Sequence, residues 1–128
     1  MHKLALGLLI LFFSSSVSAG CNRTNLTGTW MVYSTGAYVY SNQCKLIIPA
    51  KGNSFSGSCI SADGSTSSAT GTITMIDSTC HFTSNFLNSK SSVVTDAYLN
   101  RSKDGLSGMW SQYVGTYLYS GAFNGVKL

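Results

Sequence analysis

The chain has 128 residues, 44% of them hydrophobic and 9% charged, and its eight Lys or Arg against four Asp or Glu give a formal net charge of +4. All four acidic residues are aspartate, and His occurs only twice. The length allows one domain, and so few carboxylates and imidazoles argue against a paired-carboxylate hydrolase or a carboxylate-rich metal site.

The N-terminal segment 1–19 has the pattern of a signal peptide. Lys3 gives it a basic start, residues 4–13 are apolar or small, and Val17 and Ala19 occupy the −3 and −1 positions of a cleavage site. The apolar run is about half as long as a membrane-spanning helix. We expect cleavage after Ala19 and a secreted or periplasmic single domain, residues 20–128. An alternative stays open, because residues 18–21 resemble a bacterial lipobox in which Cys21 would be lipidated and would anchor the protein.

The predicted mature chain has four cysteines: Cys21, Cys44, Cys59 and Cys80. In a small exported domain four cysteines usually form two disulfides. A zinc site is disfavoured because no two of these residues are spaced as Cys-x-x-Cys.

Short alternating runs rich in Ser, Thr, Tyr and Val, separated by turn-forming clusters, predict β-strands. A tetrapeptide of Ser or Thr, Gly, any residue and a large or apolar residue starts at 27, 56, 70, 107 and 120. Glycine within a strand usually marks a bend or a close backbone approach, and a sheet that bends repeatedly can close around its own core. We therefore predict an all-β fold, a small eight-stranded antiparallel up-and-down β-barrel, with a β-sandwich as the alternative.

In chain order the predicted strands cover residues 26–35, 43–50, 54–62, 69–77, 80–88, 93–101, 106–113 and 116–125. Their connections would alternate between the two ends of the barrel. Tight turns at 51–53, 77–79 and 102–105 define what we call the closed end. The connections at 34–42, 62–68, 88–92 and 113–116 define the open end and are longer on the whole. The predicted interior contains Trp30, Leu46, Ile48, Phe55, Ile73, Met75, Phe82, Phe86, Trp110 and Phe123.

The meander also predicts the disulfide partners. If Leu46 pairs with Gly57, Cys44 lies opposite Cys59 on the core face, where a disulfide can form. Cys21 and Cys80 both fall at the closed end. We expect the pairs 44–59 and 21–80.

Several segments resemble the barrels of the avidin family. Residues 26–30 read Leu-Thr-Gly-Thr-Trp, residues 55–59 read Phe-Ser-Gly-Ser-Cys, and Trp110 precedes a Gln-Tyr-Val-Gly stretch at 112–115. Avidin-family barrels open with a strand of the form L-T-G-x-W, followed one hairpin later by F-T-G-x-Y, and T-G-x-W recurs in lipocalin-like barrels. The resemblance implies an eight-stranded antiparallel barrel.

The biotin site of that family is not part of the resemblance. The family's Asn two places after the first Trp is Val32 here, and its ligand-binding Tyr on the third strand is Cys59. Only Ser34 and Ser61 stand near polar ligand positions. Biotin is therefore not the expected ligand.

Catalytic residue sets are poorly represented. His81 and its neighbour Cys80 would point to opposite faces of one strand and could not form a nucleophile–base pair. Asp63, Asp77 and Asp104 stand in turn sequences. We expect a protein that is not an enzyme and that needs neither a cofactor nor a metal.

Tyrosines near the open end are the candidate ligand-binding residues: Tyr33, Tyr38, Tyr40, Tyr113 and Tyr117. Tyrosine combines a stacking face with a hydroxyl, although it is also an ordinary strand residue. Lys90 is the single cation of the open-end segments, so nucleic acid is not expected.

Three functions remain open at this stage. We expect a secreted, non-enzymatic protein that holds a small ligand at the open end of the barrel. The first alternative is an extracellular protein-interaction module, an inhibitor or host-surface binder, with a solid core. The second is a peripheral binder of anionic lipid through scattered cations.

Overall fold

The computed structural model describes residues 20–36, 43–75, 78–88 and 92–128. Its strands are β1 (Gly28–Gly36), β2 (Gln43–Ile48), β3 (Ser54–Ile60), β4 (Thr66–Met75), β5 (His81–Asn88), β6 (Ser92–Leu99), β7 (Gly105–Val114) and β8 (Tyr117–Lys127). Each strand pairs antiparallel with the next, and β8 pairs with β1, which closes the sheet into a barrel. The predicted eight-stranded barrel is confirmed, and the sandwich alternative is wrong.

The start of the chain differs from the prediction, which placed residue 26 in the first strand. A 3₁₀ helix, Arg23–Leu26, precedes β1. The Asn22 side chain accepts from the backbone N–H of Thr24, and the Asn25 side chain accepts from the backbone N–H of Asn22. These two hydrogen bonds satisfy the helix start locally, so the turn forms without any apolar periodicity in the sequence.

The predicted strand at 69–77 is also corrected, because β4 begins at Thr66. It pairs with β3 from Thr66 opposite Ile60 to Thr72 opposite Ser54. The first four residues of β4, Thr-Ser-Ser-Ala, carry little apolar signal, and it is this pairing that makes them a strand.

Both predicted disulfides are confirmed. In the β2–β3 register Leu46 lies opposite Gly57 and Cys44 opposite Cys59, with which it is bonded. Cys21 is bonded to Cys80, so the sulfur that lipidation would modify is already used. Two disulfides are compatible with an extracellular or periplasmic location. Within the described ranges there is no helix long and apolar enough to cross a bilayer.

Glycines at the inward face allow neighbouring strands to approach closely. A Cβ atom at Gly71 would overlap the Asn85 carbonyl oxygen and the Phe55 ring. At Gly121 it would overlap the Thr35 carbonyl oxygen and the Trp110 indole. A large side chain from a nearby strand thus occupies the space that each glycine leaves, which agrees with the close backbone approach expected at the glycines of the repeated tetrapeptide.

The closed half of the barrel contains the two largest fully buried side chains of the described core. Leu26 and Trp30 have no exposed surface, and the Trp30 indole Nε1 donates to the Leu26 carbonyl oxygen over 2.8 Å. The 3₁₀ helix therefore seals this end. Of the predicted interior residues, Met75 has a side chain outside the described set, Phe86 and Phe123 are partly buried, and the rest are buried: Trp30, Leu46, Ile48, Phe55, Ile73, Phe82 and Trp110.

Basic side chains fasten the chain at the closed end. The Arg23 guanidinium donates to the carbonyl oxygens of Pro49 and Gly52 at 2.9 and 2.7 Å. Lys103 Nζ donates to the Gly20 carbonyl oxygen at 3.2 Å. Lys127 Nζ donates to the Asn25 carbonyl oxygen at 3.0 Å and lies 5.3 Å from the centre of the Trp30 ring.

Candidate functional site

The lengths of the connections do not distinguish the two ends of the barrel. At the open end, β3 and β4 are joined by residues 61–65 and β7 and β8 by residues 115–116 alone, whereas the closed-end connections 49–53 and 100–104 each have five residues. The expectation of longer connections at the open end is therefore wrong. Gly115 has a φ of +63°, as a two-residue hairpin turn of the primed kind requires.

The predicted tyrosines are divided among three places. Tyr33 lies within β1 on the outer wall, because it alternates with the inward-facing residues Trp30 and Val32, and it is 44% exposed. Tyr113 and Tyr117 flank the β7–β8 turn at the open rim and are 72% and 70% exposed. Tyr38 and Tyr40 fall outside the described residues, so their proposed role stays a prediction.

One row of directly paired residues shows which side chains face inward in the open half. Ile73, which is buried, lies opposite Ser84, Ser84 opposite Thr95, and Thr95 opposite Trp110. Directly paired residues share a face of the sheet, so Ser84, Thr95 and Trp110 all point into the barrel. Gln112, two residues beyond Trp110, faces the same way.

Four inward-facing side chains of the open half are only partly buried, although Cys59 and Ala69 in the same half are buried. Val32, Ser34, Phe86 and Phe123 face inward by strand alternation yet are only half-buried. An inward-facing side chain retains accessible surface only if a space large enough for water adjoins it. Solvent therefore reaches the inner wall of the open half at these four positions.

The chemistry of this interior is aromatic and neutral polar. The hydroxyls of Ser84 and Thr95 are hydrogen-bonded to each other, and Trp110 Nε1 donates to the Thr35 carbonyl oxygen at 2.9 Å. Gln112 is only 7% exposed and supplies a carboxamide. Within the described ranges, no inward position of this half carries a charged side chain. Such a surface suits a neutral amphipathic ligand.

A second set of polar residues lies on the outer wall and was not recognised from the sequence. His81 Nε2 is hydrogen-bonded to Asp96 Oδ1, and the His81 ring stacks on Tyr98 with centroids 4.6 Å apart. The β5–β6 register creates this cluster by placing His81 opposite Tyr98. The sequence signal that could have found His81, Asp96 and Tyr98 together is the register of the β5–β6 hairpin.

In the described part of the chain, no three or more His, Cys, Asp or Glu side chains are grouped as metal ligands would be. No protein-family model, curated protein or solved structure matches this chain.

Proposed function

We propose that this chain is a secreted, non-enzymatic binding protein that holds a small neutral, apolar or amphipathic ligand in the open half of its barrel. The single observation that carries the proposal is the incomplete burial of inward-facing side chains there, at Val32, Ser34, Phe86 and Phe123. The resemblance to avidin-like and lipocalin-like barrels agrees with a ligand held inside.

The side chains around this space define what it would accept. Trp110 and Phe86 supply apolar and aromatic surface, while Gln112 and the Ser84–Thr95 hydroxyl pair supply hydrogen-bonding groups. Pockets of this composition bind ligands mainly through apolar contact and orient them through a few polar groups. The rim residues Tyr113 and Tyr117, together with Tyr38 and Tyr40, would then contact the part of the ligand that extends towards solvent.

Tryptophan fluorescence offers a direct test, since the chain has two Trp residues and they lie in opposite halves. The variant W30F retains Trp110 in the proposed site, and W110F retains Trp30 in the sealed end. Native mass spectrometry of the purified protein should reveal a co-purifying small molecule, or else a library of neutral amphipathic compounds supplies the probe. We expect ligand addition to change the emission of W30F and to leave that of W110F unchanged.

Substitution then locates the ligand. Gln112→Ala should weaken binding without loss of fold, and the triple variant Y38A/Y40A/Y113A should weaken it through the rim. Lys51→Ala and Lys103→Ala, at the closed end, are the matched controls. Equal emission changes in W30F and W110F, or binding that survives the rim and Gln112 substitutions but fails at Lys51 or Lys103, would contradict the proposal.

The β7–β8 hairpin supports a second candidate function, an extracellular protein-interaction module. Its tip presents Tyr113, Val114, Tyr117 and Leu118, which are 38% to 72% exposed. Adjacent exposed aromatic and aliphatic side chains are typical of protein contact sites. If this function holds, Y113A/Y117A/L118A should abolish capture of a protein partner while the fluorescence response of W30F to small molecules is absent.

Peripheral binding to anionic lipid is the weakest candidate. Three of the cations, Arg23, Lys103 and Lys127, donate to main-chain carbonyl oxygens at the closed end. Vesicles containing phosphatidylserine at low ionic strength provide the test, because attraction between exposed charges is greatest there. Failure to sediment with them would remove this candidate.

A further inference from the structure

A groove of about 640 Å³ lies on the outer wall of the barrel, separate from the interior. It crosses four adjacent strands, β1, β8, β7 and β6, which are consecutive in the closed sheet. One row of directly paired residues runs across it: Tyr33, Asn124, Ser107 and Tyr98. The next row contains Thr35, Ala122, Met109 and Asp96. All eight residues line the groove.

The first row makes a slot with aromatic walls and a polar floor, and the second row adds the exposed side chain of Met109 and the shorter Ala122 and Thr35 beside it. Tyr33 and Tyr98 stand at opposite sides, three strands apart, which corresponds to about 14 Å at the usual strand spacing. Between them lie Asn124 and Ser107, whose shorter side chains form the floor. The width is sufficient for a six-membered sugar ring to lie between the two phenol rings.

The Tyr98 wall is held in place before any ligand arrives. His81 stacks on Tyr98, and its Nε2 is hydrogen-bonded to Asp96 Oδ1, which fixes the imidazole behind the groove. Asp96 is still 60% exposed in its side chain and can accept further hydrogen bonds. Fixing a contact residue in advance lowers the entropic cost of binding.

We propose that this outer groove binds neutral saccharides. The C–H face of a pyranose ring carries a small positive potential that matches the negative face of a tyrosine ring. Its hydroxyls need both donors and acceptors, which the carboxamide of Asn124, the hydroxyl of Ser107 and the carboxylate of Asp96 provide. An open groove on an outer wall also admits one unit of a longer chain.

Other ligand classes fit the groove less well. Among the described residues that line the groove there is no Lys or Arg, so phosphate and other anions would have no cation there to pair with. The sheet is closed, so an extended peptide finds no free strand edge for backbone pairing. The groove is distinct from the interior, and this inference does not depend on the function proposed above.

The test uses ¹⁵N-labelled protein and a panel of neutral tetrasaccharides: maltotetraose, cellotetraose, tetra-N-acetylchitotetraose and β-1,4-galactotetraose. We expect at least one of them to shift the backbone amide signals of Ser107 and Asn124 with saturation at millimolar concentration or below. Tyr33→Ala and Tyr98→Ala should each raise the dissociation constant about tenfold, the loss expected when one ring contact is removed. Tyr98→Phe, which keeps the ring, should change it less than threefold.

Matched controls separate this site from the others. Tyr113→Ala and Gln112→Ala should bind the saccharide as the unchanged protein does. No signal change with any tetrasaccharide, or changes confined to interior amides such as those of Ser84 and Thr95, would overturn the proposal. So would Ser107 and Asn124 signals that shift with protein concentration alone, which would show that this wall pairs with a second copy of the chain. Equal loss of binding in Tyr98→Phe and Tyr98→Ala would show that ring stacking is not the basis of recognition.

Discussion

Two tryptophans occupy equivalent positions in the repeated tetrapeptide but lie in opposite halves of the barrel. Trp30 donates its indole N–H to the Leu26 carbonyl oxygen beneath the sealing 3₁₀ helix and has no exposed surface. Trp110 donates to the Thr35 carbonyl oxygen in the open half and is 5% exposed. Trp30 is surrounded by buried residues, whereas Val32 and Phe86 in the open half are only partly buried.

If the open half binds a ligand as proposed, the difference indicates how stability and binding are divided within one small barrel. The closed end combines a disulfide, a capped helix and three cations bound to carbonyl oxygens, all of which stabilise the fold. The open half has several partly buried inward-facing side chains and inward-facing polar groups such as Gln112. Binding sites generally carry such a cost in stability, and other parts of the fold must compensate for it.

The largest expected effect concerns the disulfides. Cys21–Cys80 closes a loop of 59 residues and Cys44–Cys59 one of 15. A disulfide that closes a longer loop removes more conformational entropy from the unfolded chain. We therefore expect C21S/C80S to lower the unfolding free energy by about 4 kcal/mol and C44S/C59S by about 3 kcal/mol. Urea unfolding followed by far-ultraviolet circular dichroism measures both. A larger loss for C44S/C59S would show that the closed end is not the principal covalent support.

Alanine substitution of the two tryptophans compares the two halves more directly. Trp30→Ala should lower the unfolding free energy by about 4 kcal/mol, because it leaves a sealed apolar cavity. Trp110→Ala should cost about 2 kcal/mol, because water can enter the space that it leaves. Equal losses in urea unfolding would mean that the open half is as tightly packed as the closed half, which would also weaken the proposed interior site.

A smaller effect is expected at Arg23, whose guanidinium fastens the 3₁₀ helix to the β2–β3 connection. Arg23→Ala removes charge-assisted hydrogen bonds to Pro49 and Gly52 and should cost about 2 kcal/mol. Lys51→Ala, in the same exposed connection, is the matched control and should change stability by less than about 0.5 kcal/mol. Similar values for the two variants would show that these hydrogen bonds contribute nothing beyond those that Arg23 makes with water.

Much of the fold could be predicted from the sequence because its signals are local and periodic. Strand alternation gave the β2–β3 register, and that register placed Cys44 opposite Cys59. The 3₁₀ helix Arg23–Leu26 was missed because one turn is too short to show periodicity. Its cap consists of the asparagines Asn22 and Asn25, and asparagine is as typical of loops as it is of helix starts.

The outer groove could not be predicted, for a different reason. Tyr33 and Tyr98 are far apart in the sequence. They lie on either side of the same groove only because β8 pairs with β1 and closes the barrel. That pairing leaves no short-range pattern. The interior position of Gln112 could be predicted from the sequence, since Gln112 shares a strand face with Trp110.

The smallest expected effect is a pH dependence in the closed-end connection 100–104. Hydrogen bonds donated by the Ser102 hydroxyl and the Asn100 carboxamide to Asp104 hold the pKa of that carboxyl below its ordinary value. A pKa lowered by folding means that the charged form stabilises the folded state. This contribution is present above the unfolded-state pKa, near 4, and is lost as the pH falls through the lower folded-state value. The effect is small because the carboxylate is exposed to solvent.

The difference in stability between the unchanged protein and Asp104→Asn should therefore be constant from pH 7 to pH 5 and shrink towards pH 2. Taking the difference between the two proteins removes the pH effects that are common to both. Ser102→Ala, which removes the principal donor, should reduce this pH dependence. A difference that stays constant down to pH 2, or grows, would show that the Ser102 and Asn100 hydrogen bonds do not favour the ionised carboxylate.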